Sequence, residues 1–418
     1  MPPSFCELVR VFGRIGLLSF GGPAAQIALM HRELVDRRPW LDERSFLNAL
    51  SFCMLLPGPE ATQLATYAGW RLRGTWGGVL AGVLFVLPGA LVIFGLAAGY
   101  ALWGDLPLIM ALFLGVKATV VIVVVEALIR VARRALVGHA GWIIAALSFV
   151  AIFALRLPFP LIIALAGAWG AWRAKTALAP GDDPPLRPRT LRTVAIWLAI
   201  WAAPVALLAA TDQALLLEIA GLFSKLAVVT FGGAYAVLAY MTQEVVAQRG
   251  WLSTEQMMDA LGLAETTPGP LILVTQFVAF MAGFAADGIA LGILAGAVAL
   301  WVTFVPCFLW IFAGAPYLDW IATRPRLTGA LGAITAAVVG VILNLSVWFA
   351  AHVFFDSVGT ATLGPLRVIL PDPLSMNLAA VVLALCAGAL LLWRHWPLPA
   401  VLGTMALAGA AIPALGWA

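Results

Sequence analysis

Proline, glycine and a carboxylate stand together in apolar sequence at 55–63, LLPGPEATQ, which carries Pro57, Gly58, Pro59 and Glu60. A second proline-glycine-proline occupies 268–270, preceded by Glu265, Thr266 and Thr267 and followed by Thr275 and Gln276. Two further interruptions are Ser19-Phe20-Gly21-Gly22-Pro23, with Gln26 just beyond, and Thr230-Phe231-Gly232-Gly233. A proline in a helix interior costs about 3 kcal/mol, so these stretches predict broken helices. A helix that begins at such a break exposes unpaired N–H groups and the positive end of its dipole, and both bind anions.

The polar residues around the breaks extend that chemistry. Hydroxyls and amides can donate to an oxyanion, and the cations Arg14 and Lys225, which precede the two double glycines, can hold its charge. The expected anion-binding set is Arg14, Ser19, Gly21, Gly22, Gln26, Gly58, Thr62, Gln63, Lys225, Thr230, Gly232, Gly233, Thr266, Thr267, Gly269 and Gln276. Lys117, in the apolar run LGVKATVVIVVVEALIR, is a further cavity cation; Glu126 lies on nearly the opposite helix face from it. Glu60 and Glu265 are the candidates for proton coupling, because burial raises a carboxyl pKa while a helix N-terminus lowers it. Structural alternatives stand beside each reading. The double glycines would also permit close helix packing, Arg14 could snorkel to the interface, Lys225 could pair with Glu218, and Glu60 or Glu265 could form a structural ion pair with Arg14 or Lys225. Glu33, Arg38 and Trp40, with Glu244, Arg249 and Trp251, are expected to fix the loops that follow the first breaks.

Other chemistry finds no residues. The four histidines, His31, His139, His352 and His395, have no metal-ligand spacing, and Cys6, Cys53, Cys307 and Cys386 are far apart. Neither a nucleophile–base pair nor a cofactor motif appears, so no enzyme, metal or cofactor is expected. Glu7, Arg10 and Arg14 interrupt what would be the apolar stretch of a cleaved signal peptide.

The elements that must position these residues are membrane helices. The 418 residues are 63% hydrophobic and 11% charged, with mean hydropathy +1.02, against about 25% charged residues in a soluble domain. Long apolar runs recur throughout, which excludes a large soluble domain, and basic patches for nucleic acid are absent. The expected fold class is an all-α polytopic membrane protein. Shifting the chain by 211 residues aligns 12–59 with 223–270 without a gap, pairing Phe20 with Phe231, Glu33 with Glu244, Trp40 with Trp251 and Pro57-Gly58-Pro59 with Pro268-Gly269-Pro270. Apolar composition alone does not align such residues, so the chain reads as a tandem duplication.

The apolar runs predict spans near 4–36, 43–72, 76–103, 106–132, 137–155 and 157–173, then 193–211, then 215–248, 254–286, 288–315, 327–351, 374–393 and 396–417. That is about thirteen, grouped six, one and six. Seven spans separate the repeat starts, so the second repeat is expected with inverted topology, a construction common among secondary transporters. The corresponding domains are 1–175, a linker with an extra helix at 176–213, and 214–418. Lys and Arg concentrate in the loops that are internal if the N-terminus is cytoplasmic, which leaves the C-terminus external.

These motifs resemble the chromate ion transporter family in its long, two-domain form. The resemblance is carried by SFGGPAAQIALMHRELVDRRPWL, CMLLPGPEATQLATYAGWRLRGTWGG and the echo of both in TFGGAYAVLAYMTQEVVAQRGWL and TTPGP, and it covers essentially 5–315. It implies a multi-pass carrier of the inner membrane that exports chromate, confers chromate resistance and is driven by the proton gradient, with sulfate as competitor. Its partners would be a chromate or sulfate-like oxyanion, protons and the bilayer; a homodimer is compatible with it. The second half has Leu271 where Glu60 aligns and no proline matching Pro23. The residues alone lead as far as an oxyanion carrier built from inverted repeats. A sulfate carrier, a passive anion channel and an intramembrane enzyme using Glu60 or Glu265 remain the alternatives.

Overall fold

Apolar sequence in a bilayer must satisfy its backbone internally, and helices do so within one segment. The structure, a computed structural model, describes residues 3–174, 188–231, 234–318, 324–364 and 366–412, and these are predominantly helical. The helices are α1 Phe5–Leu18, α2 Gly22–His31, α3 Glu43–Cys53, α4 Glu60–Trp103, α5 Pro107–Ala135, α6 Gly138–Phe153, α7 Phe159–Arg173 and α8 Pro188–Ala210. The second half supplies α9 Ala214–Val229, α10 Ala234–Thr242, α11 Thr254–Thr266, α12 Val274–Gly314, α13 Pro325–Phe354, α14 Leu378–Gly388 and α15 Leu398–Ala411. Among the described residues, five helical stretches are long and apolar enough to cross a membrane: Glu60–Trp103, Pro107–Ala135, Arg189–Ala210, Leu271–Tyr317 and Pro325–Phe354.

Two of those five are folded pairs. A straight helix of 44 residues would run about 66 Å, roughly twice a hydrocarbon core of about 30 Å. The backbone of α4 turns at Arg73 and Gly74, where Gly74 has φ 65° and ψ −160°. That of α12 turns in the same way at Asp287 and Gly288, where Gly288 has φ 68° and ψ −163°. Glycine alone adopts this region readily. The resulting arms pack backbone to backbone: a Cβ on Gly69 would stand 2.2 Å from the Gly77 oxygen, and one on Gly283 would stand 2.6 Å from the Leu291 oxygen. Both turns coincide with boundaries expected from the sequence.

Between α13 and α14 the chain forms an antiparallel hairpin, β1 Val358–Leu363 and β2 Leu366–Pro371, paired from Val358 with Pro371 to Leu363 with Leu366. The candidate spans are all helical, and this hairpin is a connection between two helices. A run rich in Val, Thr, Ile and Leu, turned at Gly364 with φ 61°, favours strands.

The chain divides into two compact units, each drawn from both halves of the sequence. One comprises Met1–Ala98, Ala174–Ala234 and Thr267–Thr328; the other comprises Gly99–Arg173, Tyr235–Thr266 and Gly329–Ala418. The first unit centres on Phe12, Ile15, Phe46, Phe52, Phe85 and Ile311, all nearly inaccessible. In the second, α5 is the hub, packing on α11, α14 and α15. Gly115 and Gly409 make the α5–α15 approach possible, since a Cβ on Gly409 would lie 2.4 Å from the Ala111 oxygen.

Candidate anion-transport site

The expected breaks are present in the first unit. Gly21, the residue before α2, has φ 84°, and Gly22 has φ 76°, a left-handed backbone that an L side chain strains. Pro23 follows in the first turn of α2, where its missing N–H costs nothing. At the second break Gly58 has φ 111° and α4 starts at Glu60. At the third, Gly269 has φ 93°, and a single 3₁₀ turn, Leu271–Leu273, leads into α12. Gly232 and Gly233 lie outside the described residues.

These breaks are tied to one another reciprocally. The Gly58 N–H donates to the Thr230 carbonyl at 2.8 Å, and the Gly269 N–H donates to the Ser19 carbonyl at 2.9 Å. Gly58 and Gly269 are equivalent under the 211-residue shift, as are Ser19 and Thr230. The Gln26 side chain reinforces one crossing by donating from Nε2 to the Gly269 oxygen at 2.7 Å. Gln63 spans its own break, donating to the Pro57 oxygen at 2.6 Å, and Gln276 donates to the Ala90 oxygen at 2.9 Å. Gly89 supplies the space: a Cβ there would lie 2.2 Å from the Pro268 oxygen.

These contacts redefine what the polar side chains can offer a ligand. Ser19 Oγ donates to the Ile15 carbonyl and Thr230 Oγ1 to the Leu226 carbonyl, again matched positions. Thr275 donates to Ile272 and, in the second unit, Thr266 donates to Leu263. Their hydroxyl hydrogens are thus committed to backbone. Thr267 is buried. Thr62 Oγ1 and the Oε1 atoms of Gln26, Gln63 and Gln276 are buried without a hydrogen-bond partner among the described residues. Each glutamine nitrogen faces a carbonyl, which fixes the amide orientation. Around the breaks the first unit therefore presents helix-start N–H groups, the Thr62 hydroxyl and a set of acceptor oxygens suited to water or a protonated oxyanion.

Charged residues fall in several places. Arg14 is on an exposed side of α1 with Arg10 and Leu17, and Lys225 is on an exposed side of α9 with Glu218 and Val228. Neither is among the buried polar groups. Glu60 is half-buried at the start of α4. In the second unit Glu265 is buried and accepts a hydrogen bond from the Tyr235 hydroxyl at 2.8 Å. Lys117 stands 3.4 Å from Asp259 Oδ1, and Tyr100 donates to Asp259 Oδ2 at 2.7 Å. Asp259, Tyr100 and Tyr235 escaped the sequence reading because the repeat alignment puts Asn48 opposite Asp259 and offers Tyr235 no partner. An acid inside the apolar helix MMDALGLA was the available signal.

The loops after α2 and α10 also match. Glu33, 1% exposed, is clamped by Arg37 and Arg38, and the Trp40 N–H reaches the Leu34 oxygen. In the second half Arg249 pairs with Glu244 at 3.6 Å, and the Trp251 N–H reaches the Val245 oxygen. A five- or six-residue π turn stands at each place, Arg32–Asp36 and Gln243–Gln248. Among the described residues no group of His, Cys, Asp and Glu is placed to hold a metal ion.

The model of the chromate transporter family matches residues 6–171 and 217–410, and the chain belongs to that family. The chain is 34% identical to the chromate transport protein of Pseudomonas aeruginosa over 82% of this chain and 80% of that protein. It is 29% identical to the probable chromate transport protein of Synechococcus elongatus, over 90% of this chain and 94% of that one. The chromate transport protein of Cupriavidus metallidurans is also 29% identical, over 87% of each. No solved structure matches the chain.

Proposed function

We propose that the protein is a secondary transporter that exports chromate across the cytoplasmic membrane, coupled to the proton gradient. The observation that carries this reading is the reciprocal pair of hydrogen bonds, Gly58 to Thr230 and Gly269 to Ser19. Broken backbone at membrane depth is tolerated where it lines a cavity or is buried in protein. Breaks matched under one sequence shift are what inverted repeats would produce, and family membership supplies the anion. The same shift supports a division into repeats at 1–175 and 214–418, joined by 176–213, with about thirteen spans and termini on opposite sides.

In this reading the starts of α2, α4 and α12 receive the oxyanion, with Thr62 and the second amide hydrogens of Gln63 and Gln276 beside them, while Gln26 Nε2 donates to both Gly269 and Ser19. Arg14 and Lys225 raise anion concentration at the exposed faces, and Gly232, Gly233, Thr266 and Thr267 complete the second repeat's share. Glu60 and Glu265 exchange protons. The test is flux in proteoliposomes holding chromate or sulfate under an imposed pH gradient. Saturable chromate movement that follows the gradient, and loses that dependence in Glu60→Gln or Glu265→Gln, supports the reading. Sulfate preferred over chromate would make the protein a sulfate carrier, and uncoupled current would make it a channel.

A further inference from the structure

Asp259 is ionisable, buried and held loosely. It lies on the second turn of α11 with 7% of its surface exposed, and the Tyr100 hydroxyl satisfies Oδ2 at 2.7 Å. Oδ1 has no hydrogen-bond partner among the described residues; its neighbour is the Lys117 ammonium at 3.4 Å. A fully formed charge-assisted bond would be about 2.7–2.9 Å, so this pair is close but not locked. Gly262, one turn along α11, lets Val116 of α5 approach and so sets Lys117 beside Asp259.

Lys117 has a second neighbour, open space. It lines a cavity of about 560 Å³ between α5, the segment before α14, and the C-terminal end of α15, with Asp356 and Asn377 also in the lining. Asp259 is not part of that lining but lies within 3.4 Å of the lysine. An anion in the cavity and Asp259 would therefore compete for one ammonium. The other ionisable groups that reach this cluster are Glu255, which acts on both Asp259 and Tyr100, and Asp105, which acts on Tyr100. α15 also packs on α11 and carries no ionisable side chain between Leu398 and Ala411.

We propose that Lys117 is an oxyanion-binding residue of the cavity and that Asp259 is its coupling carboxylate. When a divalent oxyanion enters, the ammonium turns from Asp259 to the anion. A buried carboxylate left without its cation is strongly disfavoured, so Asp259 takes a proton from water onto Oδ1 while Tyr100 keeps Oδ2. Departure of the anion reverses both steps. Anion and proton are thus bound together at this site. The proposal rests on the transport reading for the identity of the anion, and it adds a second-unit site that is separate from Glu60 and Glu265.

The test is proton uptake by the purified full-length protein in weakly buffered detergent solution. Chromate is added at a pH where it is fully deprotonated, with binding measured in parallel by calorimetry. Wild type should take up about one proton per chromate bound, as expected for discharge of one buried carboxylate. Asp259→Asn should bind chromate without proton uptake. Lys117→Gln should raise the dissociation constant about tenfold or more, the loss of a charge-assisted bond. Lys117→Gln/Asp259→Asn, which removes both charges, is the variant least prone to misfold. It should elute as wild type in size-exclusion chromatography while showing neither tight binding nor uptake. Chromate bound by wild type with no proton taken up, or Asp259→Asn that still takes it up, overturns the proposal. Folded wild type that binds no chromate overturns the transport reading itself.

Discussion

Gly89 shows how much of this structure depends on atoms that are absent. Its Cα faces the Pro268 carbonyl of the third break, and an added methyl would lie 2.2 Å from that oxygen. Backbone cannot retreat as a flexible side chain would, so Gly89→Ala should destabilise the protein by about 1–3 kcal/mol. Thermal unfolding in detergent measures it; an unchanged midpoint would show that the approach is looser. Gln26 makes the complementary case. Gln26→Leu keeps the volume but leaves the buried Gly269 carbonyl without its 2.7 Å donor, a loss of about 1–3 kcal/mol. Chromate flux should fall further than stability alone explains, because Gly269 would no longer be held against Ser19. Equal losses in both measurements would make Gln26 a purely structural brace.

At the scale of elements, the two turns at Gly74 and Gly288 provide a paired test. Neither glycine has an atom within 4 Å of its missing Cβ, so the cost of alanine there is conformational rather than steric. Gly74→Ala and Gly288→Ala should each destabilise by about 1–3 kcal/mol, and by similar amounts, because their dihedral angles nearly coincide. A thermal shift in one variant alone would break the equivalence of the halves. The same elements mark how far the sequence could be read. The Pro-Gly-Pro breaks, the Gly21-Gly22 break and the turns near 74 and 288 were legible because glycine and proline act locally. The π turns after α2 and α10 were not, since they arise where Arg37 and Arg38 close on Glu33. Nor was the hairpin Val358–Pro371, which lay hidden among apolar residues common to strands and helices. The glutamines stood out in the sequence as polar residues beside the breaks but not as braces, because their partners are carbonyls as many as 243 residues away.

The whole molecule makes a claim about sidedness. In the proposed topology an odd number of crossings would leave the two termini on opposite faces of the membrane, and the distribution of Lys and Arg favours an internal N-terminus. Cys6 and Cys386 are exposed while Cys53 and Cys307 are buried, so Cys6→Ser/Cys386→Ser gives a background quiet to impermeant maleimide. New single cysteines appended at either terminus should then label from outside only at the C-terminus. Labelling of both or neither from that side would remove the inverted arrangement.

Chromate counterflow into proteoliposomes holding wild type, Gly58→Ala or Gly269→Ala is the most direct measurement. The account predicts saturable exchange in wild type. It also predicts a fall of roughly tenfold or more in each variant, as both glycines sit at dihedral angles an alanine strains. Exchange at the wild-type rate in both variants, or none in folded wild type, would contradict it.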